Sequence, residues 1–284
     1  MLDDNLKTYA LVGEDIANSF LSTIQNSVFD ELSLDACYIP FSVKKEDLKS
    51  SVEILRESFA GFNVASPYKR AIAKYIDVLD DKAKTTGTVN TVKCVDGVLY
   101  GYNTDTKGFL DSLIGEKINF FDKDILIIGT GGTAKSIAHV LLDKGAFLTI
   151  VTRDFGKAMA FKEELQTIYN KNRIRVIKGV LPSEKFFAII NAASVELETR
   201  FSDMAIHDET YKELKYIYEF YICQTSFFLK KALEYGIQYK NGLDMLFYSA
   251  LASQKIWLGE DLYSKLNVAA LEKIKDQLLA CSAA

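Results

Sequence analysis

Apolar positions recur along this chain with two periods, and the switches between them mark out its elements. Tyr9–Gly13, a short apolar run closed by glycine, predicts a strand. Phe20–Leu32 then sets Phe20, Leu21, Ile24, Val28, Phe29 and Leu32 at helical spacing. Cys37–Val43 reads as a second strand, and Glu46–Phe59 as a helix with Leu48, Val52, Leu55 and Phe59 on one face. Gly61–Pro67 is a third strand, stopped by the proline. After a charged helical stretch, Thr88–Val95 and Val98–Asn103 flank Asp96-Gly97, a two-residue hairpin signal.

From Asp124 the rhythm becomes regular. A strand over 124–129 leads into a helix ending near Lys144, and the strand Phe147–Thr152 leads into a helix over Lys157–Tyr169. Ile174–Val180, Ala188–Ala193 and Tyr216–Tyr221 supply further strands, and the tail is helical over Leu243–Leu258 and Asn267–Leu279. Such alternation predicts an α/β fold whose parallel sheet is covered by helices on both faces.

At 284 residues the default expectation is two domains. A charged fraction of 25% and a net charge of −4, with the signs interspersed, speak against a nucleic-acid or membrane surface as the main partner. No apolar run approaches the roughly 18 residues of a membrane span, and the acidic start lacks the order of a secretion signal. Cys37, Cys94, Cys223 and Cys281 are scattered, and His139 and His207 are too few to complete a metal site with them. Buried, reduced thiols in a cytoplasmic protein are the expectation.

The richest stretch is Asp124-Ile125-Leu126-Ile127-Ile128-Gly129-Thr130-Gly131-Gly132-Thr133-Ala134-Lys135. A strand running through glycines straight into a helix is the first unit of a dinucleotide-binding domain. Gly129 and Gly131 let the backbone turn sharply near a pyrophosphate, and the new helix offers N–H groups to it. The plainer alternative is a glycine-rich turn with no ligand. About 20 residues on, an acidic residue suits the ribose of NAD and a basic one the 2′-phosphate of NADP. Here Thr152 ends the second strand, with Arg153 and Lys157 just beyond, so NADP is favoured over NAD. Asp154 opposes that reading, because it can neutralise Arg153 or accept from a ribose hydroxyl.

Two candidate chemical groups lie at strand ends in the first half, Lys69 and Asp105. An ammonium oriented by a carboxylate is a proton-transfer pair, suited to quenching the alkoxide that forms when hydride adds to a carbonyl. Spacing alone does not distinguish them from surface charges.

Taken together the segments resemble the shikimate dehydrogenase family over nearly the whole chain. The matches are Asn63, Val64, Pro67 and Lys69; Gly87, Val89, Asn90 and Thr91; and Asn103, Thr104, Asp105 and Gly108. They continue with Gly129, Gly131, Gly132 and Lys135, then Arg153, Asn191, Thr225, Gly242, Met245, Leu246, Trp257 and Gly259. The resemblance implies two α/β domains with a cleft between them. Residues 1–106 and 241–284 would form a substrate-binding and catalytic domain, the C-terminal helices returning to it. Residues 107–240 would form a Rossmann-like, doubly wound NADP domain. It makes Lys69 and Asp105 the catalytic dyad and gives substrate hydroxyls to Asn90 and Asp105. Gly129, Thr130, Gly131, Gly132, Thr133, Thr152, Arg153, Lys157, Tyr218 and Gly242 are the expected nucleotide contacts.

Departures fall on the substrate side. Ser19 matches a carboxylate-binding serine, but Leu21 replaces a second one and Ala65 a hydroxyl-binding threonine. Phe220 stands for a substrate tyrosine and Ser249 for a glutamine that reaches ring hydroxyls. The leading expectation is an NADP-dependent reductase converting 3-dehydroshikimate to shikimate, within chorismate and aromatic amino acid biosynthesis. Two alternatives stand beside it. One is a paralogue acting on quinate, an aminoshikimate or another cyclic hydroxy acid; the other is a non-catalytic sensor of nucleotide and small acid. A monomer or a homodimer fits all three.

Overall fold

The computed structural model describes residues 6–14, 16, 19–177, 185–193, 208–220, 222, 226–260 and 264–283. The chain divides into two compact units, Met1–Ser112 with Met245–Ala284, and Leu113–Asp244.

The first unit opens with β1 (Lys7–Gly13), α1 (Phe20–Glu31), β2 (Ala36–Ser42), α2 (Leu48–Ser58) and β3 (Gly61–Val64). After a 3-10 turn at Ala71–Tyr75 come β4 (Val78–Leu79), α3 (Asp81–Thr86), β5 (Thr91–Val95), β6 (Val98–Tyr102) and α4 (Asp105–Ser112). Its sheet has the order β2-β1-β3-β5-β6-β4. The βα part pairs in parallel, β3 meets β5 antiparallel, and β5–β6 is the hairpin expected around Asp96-Gly97. Gly97 takes φ +75°, which a side chain at that corner disfavours. The strand expected over Gly61–Pro67 stops at Val64, and the Ser66–Pro67 peptide is cis. Val12, Val52, Leu55, Phe62, Val64, Val92 and Leu99 form the core beneath this sheet. Cys94 is partly buried at its margin, and burial pushes its thiol up to about 12, as befits a reduced structural cysteine.

The second unit is a parallel sheet. It comprises β7 (Asp124–Ile128), α5 (Gly132–Asp143), β8 (Phe147–Val151), α6 (Phe155–Gln166), β9 (Ile174–Ile177) and β10 (Ala188–Asn191). Then follow α7 (Asp208–Glu213), β11 (Tyr216–Glu219), α8 (Phe227–Tyr235) and β12 (Gln238–Asn241). The order β12-β11-β10-β7-β8-β9 reverses direction between β7 and β10, the switch point of a doubly wound sheet. Parts of two expected strands, Val180 and Tyr221, fall outside the described residues, as do His207, Cys223 and Thr225. Asp154 caps α6, its side chain accepting from Lys157 N, so that helix starts at Phe155 rather than at Lys157.

Two C-terminal helices, α9 (Leu243–Leu258) and α10 (Val268–Ala283), complete the chain. From Met245 onward they belong to the first unit, where Lys273 reaches Glu31 of α1 at 3.4 Å. No helix among the described residues is long and apolar enough to cross a membrane.

Trp257 pins α9 to the sheet. Its indole N–H donates to Val92 O at 2.9 Å, and its ring stacks on Tyr9 with centroids 4.7 Å apart. Gly61 leaves the room: a Cβ there would meet Trp257 Nε1 at 2.6 Å and Val92 O at 2.7 Å. Gly61→Ala is therefore expected to destabilise the protein by about 2 kcal/mol, as overpacking of a tight site does. Urea unfolding followed by Trp257 fluorescence measures this; an unchanged midpoint would show that the site relaxes freely.

Candidate active site

Lys69 and Asp105 come together in the first unit. Lys69 follows the Ser66–Pro67 bend, and its carbonyl accepts from Val89 N at 2.7 Å, which fixes it beside the start of β5. Asp105 opens α4, where a helix N-terminus favours an anion. The turn into that helix is made by Asn103, whose carbonyl and side-chain oxygens receive the hydroxyl and the amide of Thr106. Lys69 Nζ lies 2.7 Å from Asp105 Oδ2, with side chains only 14% and 6% exposed.

Asn90 joins the pair. Its Nδ2 donates to Asp105 Oδ1 at 2.8 Å and Thr104 Oγ1 at 2.9 Å, with Ser249 Oγ at 3.2 Å. Its Oδ1 accepts from Thr104 N at 2.7 Å. Ser249 reaches this cluster from α9 because α4 approaches α9 at Gly108. A Cβ on Gly108 would lie 2.6 Å from Met245 O and 2.9 Å from Ser249 N.

A cavity of about 140 Å³ adjoins these groups. Of the expected substrate contacts, Ser19, Leu21, Ala65, Asn90 and Ser249 all line it, together with Lys69 and Asp105. Ser19 is also the N-cap of α1, accepting from Leu21 N at 3.2 Å. Phe220 belongs to the other unit, following β11.

Asn63 also lines the cavity, and Gln25, Tyr38 and Ser253, which bond to it, are absent from the sequence-based expectations. Asn63 donates to Asn90 O, Thr91 Oγ1 and Ser253 Oγ, each at 3.0 Å, and accepts from Gln25 at 3.0 Å and Tyr38 at 2.9 Å. Gln25 and Gln254 are fully buried and bonded to each other. The available signal was Gln25 itself, a polar residue on the helix face that carries Leu21, Ile24 and Val28.

In the second unit the strand register brings the nucleotide candidates to one edge. Val151, Ile128, Asn191, Glu219 and Asn241 lie in one row across the sheet. The next residues, Thr152, Gly129, Ala192, Phe220 and Gly242, therefore follow at its carboxyl edge. Gly129 has φ +105°, and a Cβ there would sit 3.1 Å from Ala192 O. Thr130 leads to Gly131, the N-cap of α5, which carries no side-chain cap bond and would have nothing within 4 Å of an added Cβ. The first N–H groups of α5, beginning at Gly132, have no acceptor within the helix, which suits a phosphate. These residues fit a dinucleotide.

Arg153 and Lys157 are exposed beyond β8. Asp154 is engaged by Lys157, whose amide and ammonium lie 3.0 and 3.3 Å from its oxygens, and these bonds hold its carboxyl below the usual range. Lys135 is buried in α5, paired with Glu164 and lying over the Phe161 ring at 4.9 Å. Tyr218 is fully buried, its ring 4.9 Å from that of Phe220. Gly242 passes the Phe220 backbone so closely that a Cβ would lie 2.8 Å from its carbonyl oxygen. Among the described residues no cluster of His, Cys, Asp and Glu is arranged to hold a metal.

Two family models match the chain. Residues 11–92 match the shikimate dehydrogenase substrate binding domain, and residues 112–213 match shikimate / quinate 5-dehydrogenase. The shikimate dehydrogenase (NADP(+)) of Methanococcus maripaludis is 35% identical over 269 residues, covering 93% of this chain and 96% of that protein. Shikimate 5-dehydrogenase from Thermus thermophilus, solved in complex with NADP(H) and shikimate, superposes with a TM-score of 0.79 at 25% identity, over 96% and 99% of the two chains. Ligand-free 5-ketofructose reductase of a Gluconobacter species does so with a TM-score of 0.76 at 28% identity, over 96% and 98%. Matched in both units by models of one kind, and along nine-tenths of its length by a curated member at 35% identity, the chain belongs to the shikimate dehydrogenase family.

Proposed function

We propose that the protein is a cytoplasmic, NADP-dependent dehydrogenase that interconverts a ring ketone and its secondary alcohol, with 3-dehydroshikimate and shikimate as the leading pair. The observation that carries this reading is the Lys69–Asp105 contact of 2.7 Å at the wall of a cavity. Bound along the glycine turn, NADPH would supply the hydride for the carbonyl carbon. Lys69 gives a proton to the carbonyl oxygen as negative charge develops there, and takes it back in the reverse direction. Asp105 aims the ammonium and Asn90 aims Asp105. Held by these two bonds, the ammonium needs little reorganisation for proton transfer.

A second reading, that the ring is quinate, an aminoshikimate or another cyclic hydroxy acid, is favoured by the leucines and the alanine that line the cavity. It also draws support from a reductase of another name that shares the fold. A sensor that binds without turnover has no use for an aligned proton-transfer pair, which weighs against that alternative. For the nucleotide, Arg153 supports NADP: Asp154 is taken up by Lys157 and the cap of α6, which leaves it poorly placed to repel a 2′-phosphate.

Lys69→Ala is expected to lower turnover of shikimate with NADP by about 10²- to 10⁴-fold, the usual contribution of a positioned proton donor. NADP binding, measured by calorimetry, should change less than about threefold; full turnover in the variant would remove Lys69 from the chemistry. Arg153→Ala should reduce kcat/KM for NADP by about 10- to 100-fold, the loss of a charge-assisted contact, and leave that for NAD nearly unchanged. Equal losses with both nucleotides would place Arg153 elsewhere than at the 2′-phosphate.

A further inference from the structure

Glu219 is a buried acid that the chemistry above does not use. It ends β11 and is only 2% exposed. Among the described residues its partners are uncharged donors. Asn191 Nδ2 donates to Oε1 at 2.9 Å, and the hydroxyls of Ser226 and Tyr239 donate to Oε2, that of Tyr239 at 2.9 Å. Two of the three are fixed in that role by their other bonds. Asn191 Oδ1 accepts from Ala193 N at 3.2 Å, and Ser226 Oγ, the N-cap of α8, accepts from Leu229 N at 3.0 Å. Lys240 on β12 pairs instead with Glu116 and Asp244, each at 2.9 Å. Three converging donors suit a negatively charged carboxylate. A charge held this deep is little screened by solvent ions.

Sheet order gives this charge a neighbour. On the dehydrogenase reading above, the pyrophosphate lies at the turn after β7 and the 2′-phosphate at Arg153, after β8. The adenosine half of the nucleotide then lies to the β8 side of β7. The strands run β11-β10-β7-β8, so the nicotinamide half extends the other way, over the ends of β10 and β11. Asn191 and Glu219 close those two strands, paired in register. The oxidised and reduced nucleotides differ there by one charge: hydride leaves with its electron pair, and the ring becomes cationic. We infer that, given that reading, the Glu219 carboxylate biases this edge toward the oxidised ring and so favours departure of hydride from NADPH. A residue that only braced the edge would act on both forms alike.

The test is calorimetric titration of the intact protein with NADP+ and, separately, with NADPH. In Glu219→Gln the hydroxyls of Ser226 and Tyr239 can turn to accept from the new amide, so the bonds remain and the charge is lost. NADP+ is expected to bind about three- to tenfold more weakly, the effect of one charge across roughly 10 Å of protein, and NADPH to change less than about twofold. Tyr239→Phe removes a donor but keeps the charge, and should leave the ratio of the two dissociation constants within about twofold of its original value. Equal weakening of both nucleotides in Glu219→Gln, or weakening of neither, overturns the inference, and so does an equal shift of the ratio in Tyr239→Phe. Should Glu219→Gln fail to fold, the unaltered protein decides: NADP+ bound at least as tightly as NADPH supports the inference, and weaker binding overturns it. Failure of both nucleotides to bind overturns the dehydrogenase reading and the inference with it. Binding of both without turnover of any ring acid overturns that reading alone, because the ratio still decides the role of Glu219.

Discussion

One carboxamide holds the candidate site together. Asn90 lies just before β5, and its side chain reaches the β6–α4 turn at Thr104 and Asp105 and the middle of α9 at Ser249. Segments that are remote in sequence thus meet on a single amide. Asn90 is only 5% exposed, so an unmade bond there would leave a buried amide without water, a cost of about 1–3 kcal/mol. The surroundings supply what the amide requires. Gly108 lets α9 approach α4 closely enough for Ser249 to arrive, and Asn63 holds the Asn90 carbonyl from behind. Lys69 is then oriented through Asp105, one bond further out.

The glycine turn was legible because its signals are local. An apolar run, a glycine that must take positive φ, and a helical repeat directly after it fit one structure and few others. The hairpin at Asp96-Gly97 was legible for the same reason. Lys69 and Asp105 were not legible by themselves: they lie 36 residues apart, and only the β3–β5–β6 pairing brings them together. β12 escaped because Gln238-Tyr239-Lys240-Asn241 is half polar, as an edge strand tolerates. The α4 helix escaped because it is short and carries Gly108 inside it, a packing requirement that reads in sequence as a breaker. The Gln25–Gln254 contact, 229 residues long, has no local signature at all.

Ser249 and Asp154 show how a residue's meaning changes when its neighbours are known. In sequence Ser249 is a side chain too short to reach a ligand; in the fold its hydroxyl belongs to the Asn90 cluster. Asp154 reads as a rival for Arg153, yet it is the N-cap of α6 and the partner of Lys157. A short acidic residue at the end of a strand is often needed to start the helix that follows. The ambiguity over NADP therefore arose from a capping requirement.

Preorganisation at this site is built from bonds among side chains of the first unit. In the proposed chemistry, the hydrogen bonds that fix Asp105 and Lys69 lower the reorganisation that accompanies proton transfer. Each Asp105 oxygen has lone-pair capacity beyond the one bond shown for it, so the same group can hold the dyad and meet a ligand hydroxyl. Leu11, Leu21, Val64, Ala65 and Leu246 make the rest of the lining apolar, so hydrocarbon contact and shape add affinity while the polar groups set orientation. Under the proposed reading, one bonded cluster thus both aligns the dyad and orients the ring, and the apolar lining meets the ring's carbon faces.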